Sequence, residues 1–242
     1  MKKIILLVLA FACLFSLAAC SKQGGSESGS GDDATAANLQ QEVVLLADAL
    51  RLQNASSDDY VIQANEFSMT REMFENRVES VMLSGLSREE AEQNVLGYAV
   101  VQTMYRAALK AGVTVDEAQF KQLEALSRQN VDAMIASDNP EDGSHYVKVF
   151  YDALTEKGIV EDYWALDTEY LMMNQAILLY TQMLHDNNYI GLGYSAEDEA
   201  GWQQYCMDVT RSEMEAQNVQ FAPDIHWELT AENYHGNLWP AL

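Results

Sequence analysis

The chain is predicted to be mainly α-helical, and three observations carry that expectation. Only three prolines (Pro140, Pro223 and Pro240) occur in 242 residues, so long stretches run without a residue that breaks a helical hydrogen bond. Apolar side chains recur at three- and four-residue spacing along most of the chain. Helix start and stop signals punctuate that pattern: serine or threonine ahead of acidic residues, and glycine after an alanine-rich turn.

The first segment has a different purpose. Lys2 and Lys3 precede an uncharged apolar run from Ile4 to Phe15, and a small-residue stretch ends in Leu17-Ala18-Ala19-Cys20. A run of that length is short for a bilayer span, and residues 1–19 read as a secretory leader. The cysteine directly after Leu-Ala-Ala resembles the bacterial lipobox. That resemblance implies a diacylglyceryl thioether on Cys20, which becomes the mature N-terminus. Each buried acyl methylene contributes about 0.8 kcal/mol, so two or more chains make a stable anchor. The expected location is therefore the extracytoplasmic face of a membrane, with the outer membrane as one option in an organism that has two. Residues 20–37 are rich in glycine and serine and read as a flexible linker, with a root-mean-square span of roughly 20–25 Å.

A helical domain is expected over residues 38–218. Leu39, Val43, Leu46 and Leu50 mark its first helix, and Tyr60-Val61-Ile62 a short strand before a turn. Thr70 caps a helix carrying Phe74, Val78, Val81 and Met82. Ser87-Arg88-Glu89-Glu90 is a capping box, opening one helix through Ala91, Val95, Tyr98, Val101, Tyr105 and Ala108 that Gly112 ends. Thr114-Val115-Asp116-Glu117 reads as a second box, with Val113 as a staple, before Phe120, Leu123, Leu126, Val131 and Met134. Beyond the loop Asp138–Gly143, Val147, Phe150, Tyr151 and Leu154 define a helix stopping at Lys157-Gly158. The longest apolar face follows, with Tyr163, Trp164, Leu171, Ile177, Leu178 and Leu184. Gly191 and Gly193 interrupt it, and Ser195 opens a last helix bearing Trp202, Cys206 and Val209. Residues 219–242 read as an irregular, aromatic tail.

The order of these elements resembles a known family. Val61-Ile62-Gln63-Ala64-Asn65-Glu66-Phe67-Ser68-Met69-Thr70-Arg71-Glu72-Met73-Phe74 looks like the opening of the N-terminal domain of SurA- and PrsA-type chaperones, where a strand leads through a turn to threonine and a helix. Met104 to Glu117 is similar to the family's alanine-rich helix end, glycine, and apolar-threonine-valine-acidic cap. The Lys157-Gly158 stop ahead of Glu161-Asp162 also fits, and the resemblance covers about Tyr60 to Leu184. Glu66 stands where the family usually has glycine. The segment His185 to Gly193 leaves no room for the parvulin-type isomerase domain, so isomerase activity is not carried over. The resemblance implies a chaperone-like helical domain, with the Ser195 helix packing back on it.

Charge and motifs exclude several classes. With 14 basic and 37 acidic residues the net charge is −23; losing Lys2 and Lys3 leaves 12 against 37, or −25. Nucleic-acid binding needs basic patches and is excluded. Removal of Cys13 with the leader and acylation of Cys20 leave Cys206 as the one thiol, expected as a buried small apolar residue. Asp138, Asp142 and Gly143 match calcium-loop positions, but Pro140 and Val149 occupy ligand positions. His145, His185, His226 and His235 lack ligand spacing, so no metal is expected, and no nucleotide loop or nucleophile elbow occurs. Scattered carboxylates such as Glu161, Asp162, Asp167 and Glu169 read as a solvated face. Tyr163, Trp164, Met172 and Met173 share one predicted helix and are either core or, because methionine adapts to varied partners, a peptide-binding surface.

The expected function is a lipid-anchored, non-catalytic, cofactor-free protein of the cell envelope that binds unfolded or secreted polypeptides. The alternatives are a scaffold or ligand-binding lipoprotein with one dedicated partner, and an enzyme: a diverged peptidyl-prolyl isomerase or a hydrolase using carboxylates.

Overall fold

The chain folds as a mainly α-helical protein with one small sheet. The structure, a computed structural model, describes residues 30–53, 57–140, 143–189 and 199–231. The leader, Cys20, Gly191, Gly193, Ser195 and the tail from residue 232 lie outside the described residues. Helix α1 spans Ser30–Leu52, and strands β1 (Tyr60–Gln63) and β2 (Ser68–Thr70) form an antiparallel pair. There follow α2 (Arg71–Met82), α3 (Arg88–Leu96), α4 (Tyr98–Lys110), α5 (Glu117–Ser137), α6 (Ser144–Lys157) and α7 (Val160–Leu184). A π-helical turn, His185–Tyr189, extends α7; α8 (Glu199–Ala216) and β3 (Gln220–Phe221) complete the described elements.

Several boundaries fall where local chemistry puts them. Thr70 Oγ1 accepts the Met73 N–H at 3.3 Å. Ser87 and Glu90 form the expected reciprocal box, with the Glu90 carboxylate accepting the Ser87 N–H at 2.8 Å. Gly112 and Gly158 close α4 and α6 with φ of 81° and 70°. The next N–H groups, of Val113 and Ile159, donate back to Ala108 and Leu154 at 3.0 and 3.1 Å, which satisfies carbonyls the helix would otherwise leave bare.

Four boundaries differ from expectation. Helix α1 starts at Ser30, inside the stretch read as linker, and Ala34, Ala36 and Ala37 suit its first turns. Asp116, not Thr114, caps α5; its carboxylate accepts the Ala118 and Gln119 N–H groups at 3.0 and 3.2 Å. A charged acceptor one residue from the helix makes the stronger cap. The single helix expected from Ser87 divides at buried Gly97 into α3, packed on α2, and α4, packed on α7 and α8. The tail is not wholly irregular, because Gln220–Phe221 adds to the sheet. Asn218, at φ 53°, turns the chain after α8, and Val219 N–H donates to Met214 O at 3.0 Å.

The sheet order is β2-β1-β3, all antiparallel. Ile62 pairs with Phe221 and Gln63 with Gln220, so a central strand near residue 60 joins the end of the described chain. Two apolar clusters result. The larger joins the sheet, α2, α3, α4, the C-terminal half of α7, α8 and Trp227, and it buries Cys206 completely. The smaller joins Val43 of α1, Val131 of α5, four residues of α6, and Tyr163 and Trp164 of α7.

Space around Gly158 is open: a β-carbon there would meet nothing within 4 Å. Gly158→Ala is therefore expected to cost about 1–2 kcal/mol through the left-handed backbone alone. Gly158→Asn should cost less. Urea denaturation midpoints of the two variants check both.

Candidate functional site

The four residues singled out on α7 do not form one surface. Tyr163 and Trp164 are 9% and 2% exposed and belong to the smaller core. Tyr163 meets Phe150 and Tyr151 edge to face, with ring centroids 5.3 and 5.9 Å apart, and Trp164 lies 5.8 Å from Tyr163. These contacts run between α6 and α7, which is why both rings face inward. Arg128 of α5 closes the cluster, its guanidinium 4.8 Å above the Trp164 ring and 2.8 Å from carboxylates of Glu124 and Glu161. Met173 is half-buried against the other core, and its sulfur accepts from the Gln102 side-chain amide at 3.4 Å. Met172 is half-buried as well. Tyr163 and Trp164 are thus core aromatics of one cluster, and Met173 packs against the other.

Burial governs the acid–base chemistry around these aromatics. It pushes the Glu42 carboxyl above the usual range, and it does the same to Asp167, with the nearby Glu124 charge adding to the effect. The Tyr151 and Tyr163 phenols are raised by burial first, then by neighbouring groups that include Asp167. Raised carboxyls beside phenols are a source of general acids. Here Glu42 and Asp167 act electrostatically on the buried Tyr163 phenol, and neither lines the groove between α3 and the segment after β3.

That groove, of about 830 Å³, runs between α3 and the segment after β3. Glu89, Glu90 and Gln93 line one side, and Ile225, His226, Trp227, Glu228 and Thr230 the other. Helix α3 presents its glutamates here because the Ser87 cap fixes its first turn. Hydrogen bonds from the Ser87 hydroxyl and backbone N–H hold the Glu90 carboxyl below the usual range. Trp227 is 8% exposed, with its ring centroid 5.2 Å from that of Phe221. Its indole Nε1 is buried with no hydrogen-bond partner among the described residues. The groove combines an apolar wall and an acidic rim. The sequence shows the tail's aromatic character but not its place against α3; pairing of β3 with β1 is what brings it there.

Among the described residues no cluster of His, Cys, Asp and Glu is arranged to hold a metal ion. His145 Nδ1 instead lies 2.8 Å from Asp138. No described helix is long and apolar enough to cross a membrane. Comparison with protein-family models, curated proteins and solved structures found no match to this chain.

The raised Glu42 carboxyl gives a pH test with a defined sign. Below the ordinary glutamate value of 4.5, folded and unfolded chains are both protonated there and nothing is lost. As pH rises from there toward the higher folded-state value, the folded chain keeps a proton the unfolded chain has released, and stability falls until both are ionised. Glu42→Gln is expected to match the wild-type melting temperature near pH 4 and exceed it at pH 7.5. Thermal melts across that range check it.

Proposed function

We propose that this protein is a lipid-anchored, extracytoplasmic binding protein that holds unfolded or secreted polypeptides without catalysis. The observation that carries this reading is the acid-rimmed groove between α3 and the segment from Ile225 to Thr230. An extended chain is rich in apolar side chains, which suit the Ile225 and Trp227 wall. Glutamates at the rim favour basic segments. The Leu17-Ala18-Ala19-Cys20 signal supports a membrane location. Packing of α8 against α4 supports the SurA/PrsA-type helical arrangement. Binding is transient burial of client side chains, with no covalent step and no nucleotide.

The chain beginning at Ser21 is expected to suppress the aggregation of several unrelated denatured proteins, followed by light scattering, and to leave prolyl isomerisation unaccelerated. Ile225→Asp, which places a charge on the apolar wall of the groove, should weaken suppression several-fold. Suppression of one client alone would favour a dedicated partner, and faster isomerisation would favour the enzyme reading. In the full chain, Cys20→Ser should move the protein from the detergent-rich to the aqueous phase in detergent partition.

A further inference from the structure

The groove between α3 and the segment from Ile225 to Thr230 carries charge of one sign. Glu89 and Glu90 stand on its α3 side and Glu228 on the other, and no lysine or arginine lines it among the described residues. Neighbouring cations are engaged elsewhere. Arg88, next to Glu89 in sequence, turns to Glu75 and Glu92. Arg71 holds Asp224, just ahead of Ile225, together with Asp59. Glu89 is exposed and makes no ion pair among the described residues. Three carboxylates around one opening set up a negative field that a cationic ligand relieves.

Charge alone does not set this place apart, because 37 acidic residues are spread over the chain. The apolar wall does. Ile225 is half-buried and Trp227 is 8% exposed, and both line the same opening as the glutamates. From Ile225 to Thr230 exposure alternates residue by residue. Ile225, Trp227 and Leu229 belong to the larger core, whereas His226, Glu228 and Thr230 are exposed. A period of two belongs to extended backbone. An extended ligand laid along this segment has the same period, so its alternate side chains meet the apolar wall and the acidic rim in turn.

Resting on the holding role given to this groove, we propose that it selects extended segments in which lysine or arginine alternates with apolar residues. The apolar side chains bury against Ile225 and Trp227, and the cations meet Glu89, Glu90 and Glu228. Two other occupants lack the charge for it. A second copy of this chain brings a net charge of −23, and residues 232–242 contain no lysine or arginine. Such a groove discriminates among clients by sequence, which a holder of any exposed apolar surface does not.

Calorimetric titration of the full chain in detergent tests this with three capped peptides. They are acetyl-Ala-Lys-Leu-Lys-Leu-Ala-amide and the same peptide with glutamine, or with glutamate, in place of both lysines. The lysine peptide is expected to bind at least about tenfold more tightly than the glutamine peptide, and the glutamate peptide not at all. Glu89→Gln and Glu228→Gln should each cut the preference for lysine several-fold and leave binding of the glutamine peptide unchanged. Glu156→Gln, which removes one exposed charge from α6, should leave the preference intact. An equal loss in the Glu156→Gln protein would mean that overall charge is at work, and would overturn the proposal. Equal binding of the lysine and glutamine peptides by a protein that still suppresses aggregation would overturn it too, with the holding role left standing. Preference for lysine in a protein that suppresses no aggregation would support the groove's selectivity and remove the holding role. Binding of the lysine peptide that appears only once residues 232–242 are deleted would give the groove to the chain's own tail and overturn the proposal.

Discussion

One helix has to serve two cores. Helix α7 is 25 residues long, about 37 Å at 1.5 Å per residue, and its two ends are buried in different clusters. Tyr163 and Trp164 pack against α6, whereas Ala176, Ile177, Tyr180 and Leu184 pack with α4, α8 and the sheet. Between them Tyr170 is 53% exposed. A helix with such a task cannot carry one apolar stripe along its length, because its neighbours change part-way. The mixed faces of its sequence follow directly, and so does the position of the smaller cluster beside the larger one.

A second constraint acts through the sheet. Strand β1 is central, with β2 reached through a short turn and β3 supplied from about 160 residues later in the chain. Gln217 reinforces the return: its carbonyl accepts the Asn65 N–H at 2.9 Å and its side-chain amide donates to the Thr103 carbonyl at 3.0 Å. Arg71 bridges Asp59 and Asp224 at 3.2 and 3.0 Å. Those exposed ion pairs contribute little by themselves, and the burial of Trp227 and Cys206 in the larger core is the greater term. The larger core therefore needs residues as far apart in sequence as Val61 and Trp227, a long-range closure of the kind that slows folding.

Legibility followed the distance over which each signal acts. Caps are local: Thr70, Ser87 with Glu90, Gly112 and Gly158 were readable because donor and acceptor lie within six residues of each other. Even there Asp116 displaced Thr114, since two acceptors in one loop compete and only geometry ranks them. Burial direction is not local. Tyr163 and Trp164 became core because α6 presents Phe150 and Tyr151 to them, which periodicity within α7 does not reveal. Strand β3 is two residues long, below the reach of any alternation pattern, and without it the juxtaposition of Trp227 with α3 was invisible.

Charge is where the two cores differ most. The smaller one takes Glu42 and Asp167 against its aromatic rings and raises their pKa, so it trades ionisation for packing. Arg128 is the cation beside it, placed where one guanidinium meets both Glu124 and Glu161 and still stacks on Trp164. Around the larger core the arginines Arg77 and Arg106 lie against tyrosines, and its groove is rimmed by glutamates. An isolated charge costs free energy wherever water is displaced, so its persistence needs a compensating gain in packing or in binding. In the smaller core packing supplies that gain in full view, with Arg128 paired and stacked. In the larger core Arg77 and Arg106 lie 4.8 and 5.6 Å from tyrosine rings, and cation–π contact supplies part of that gain.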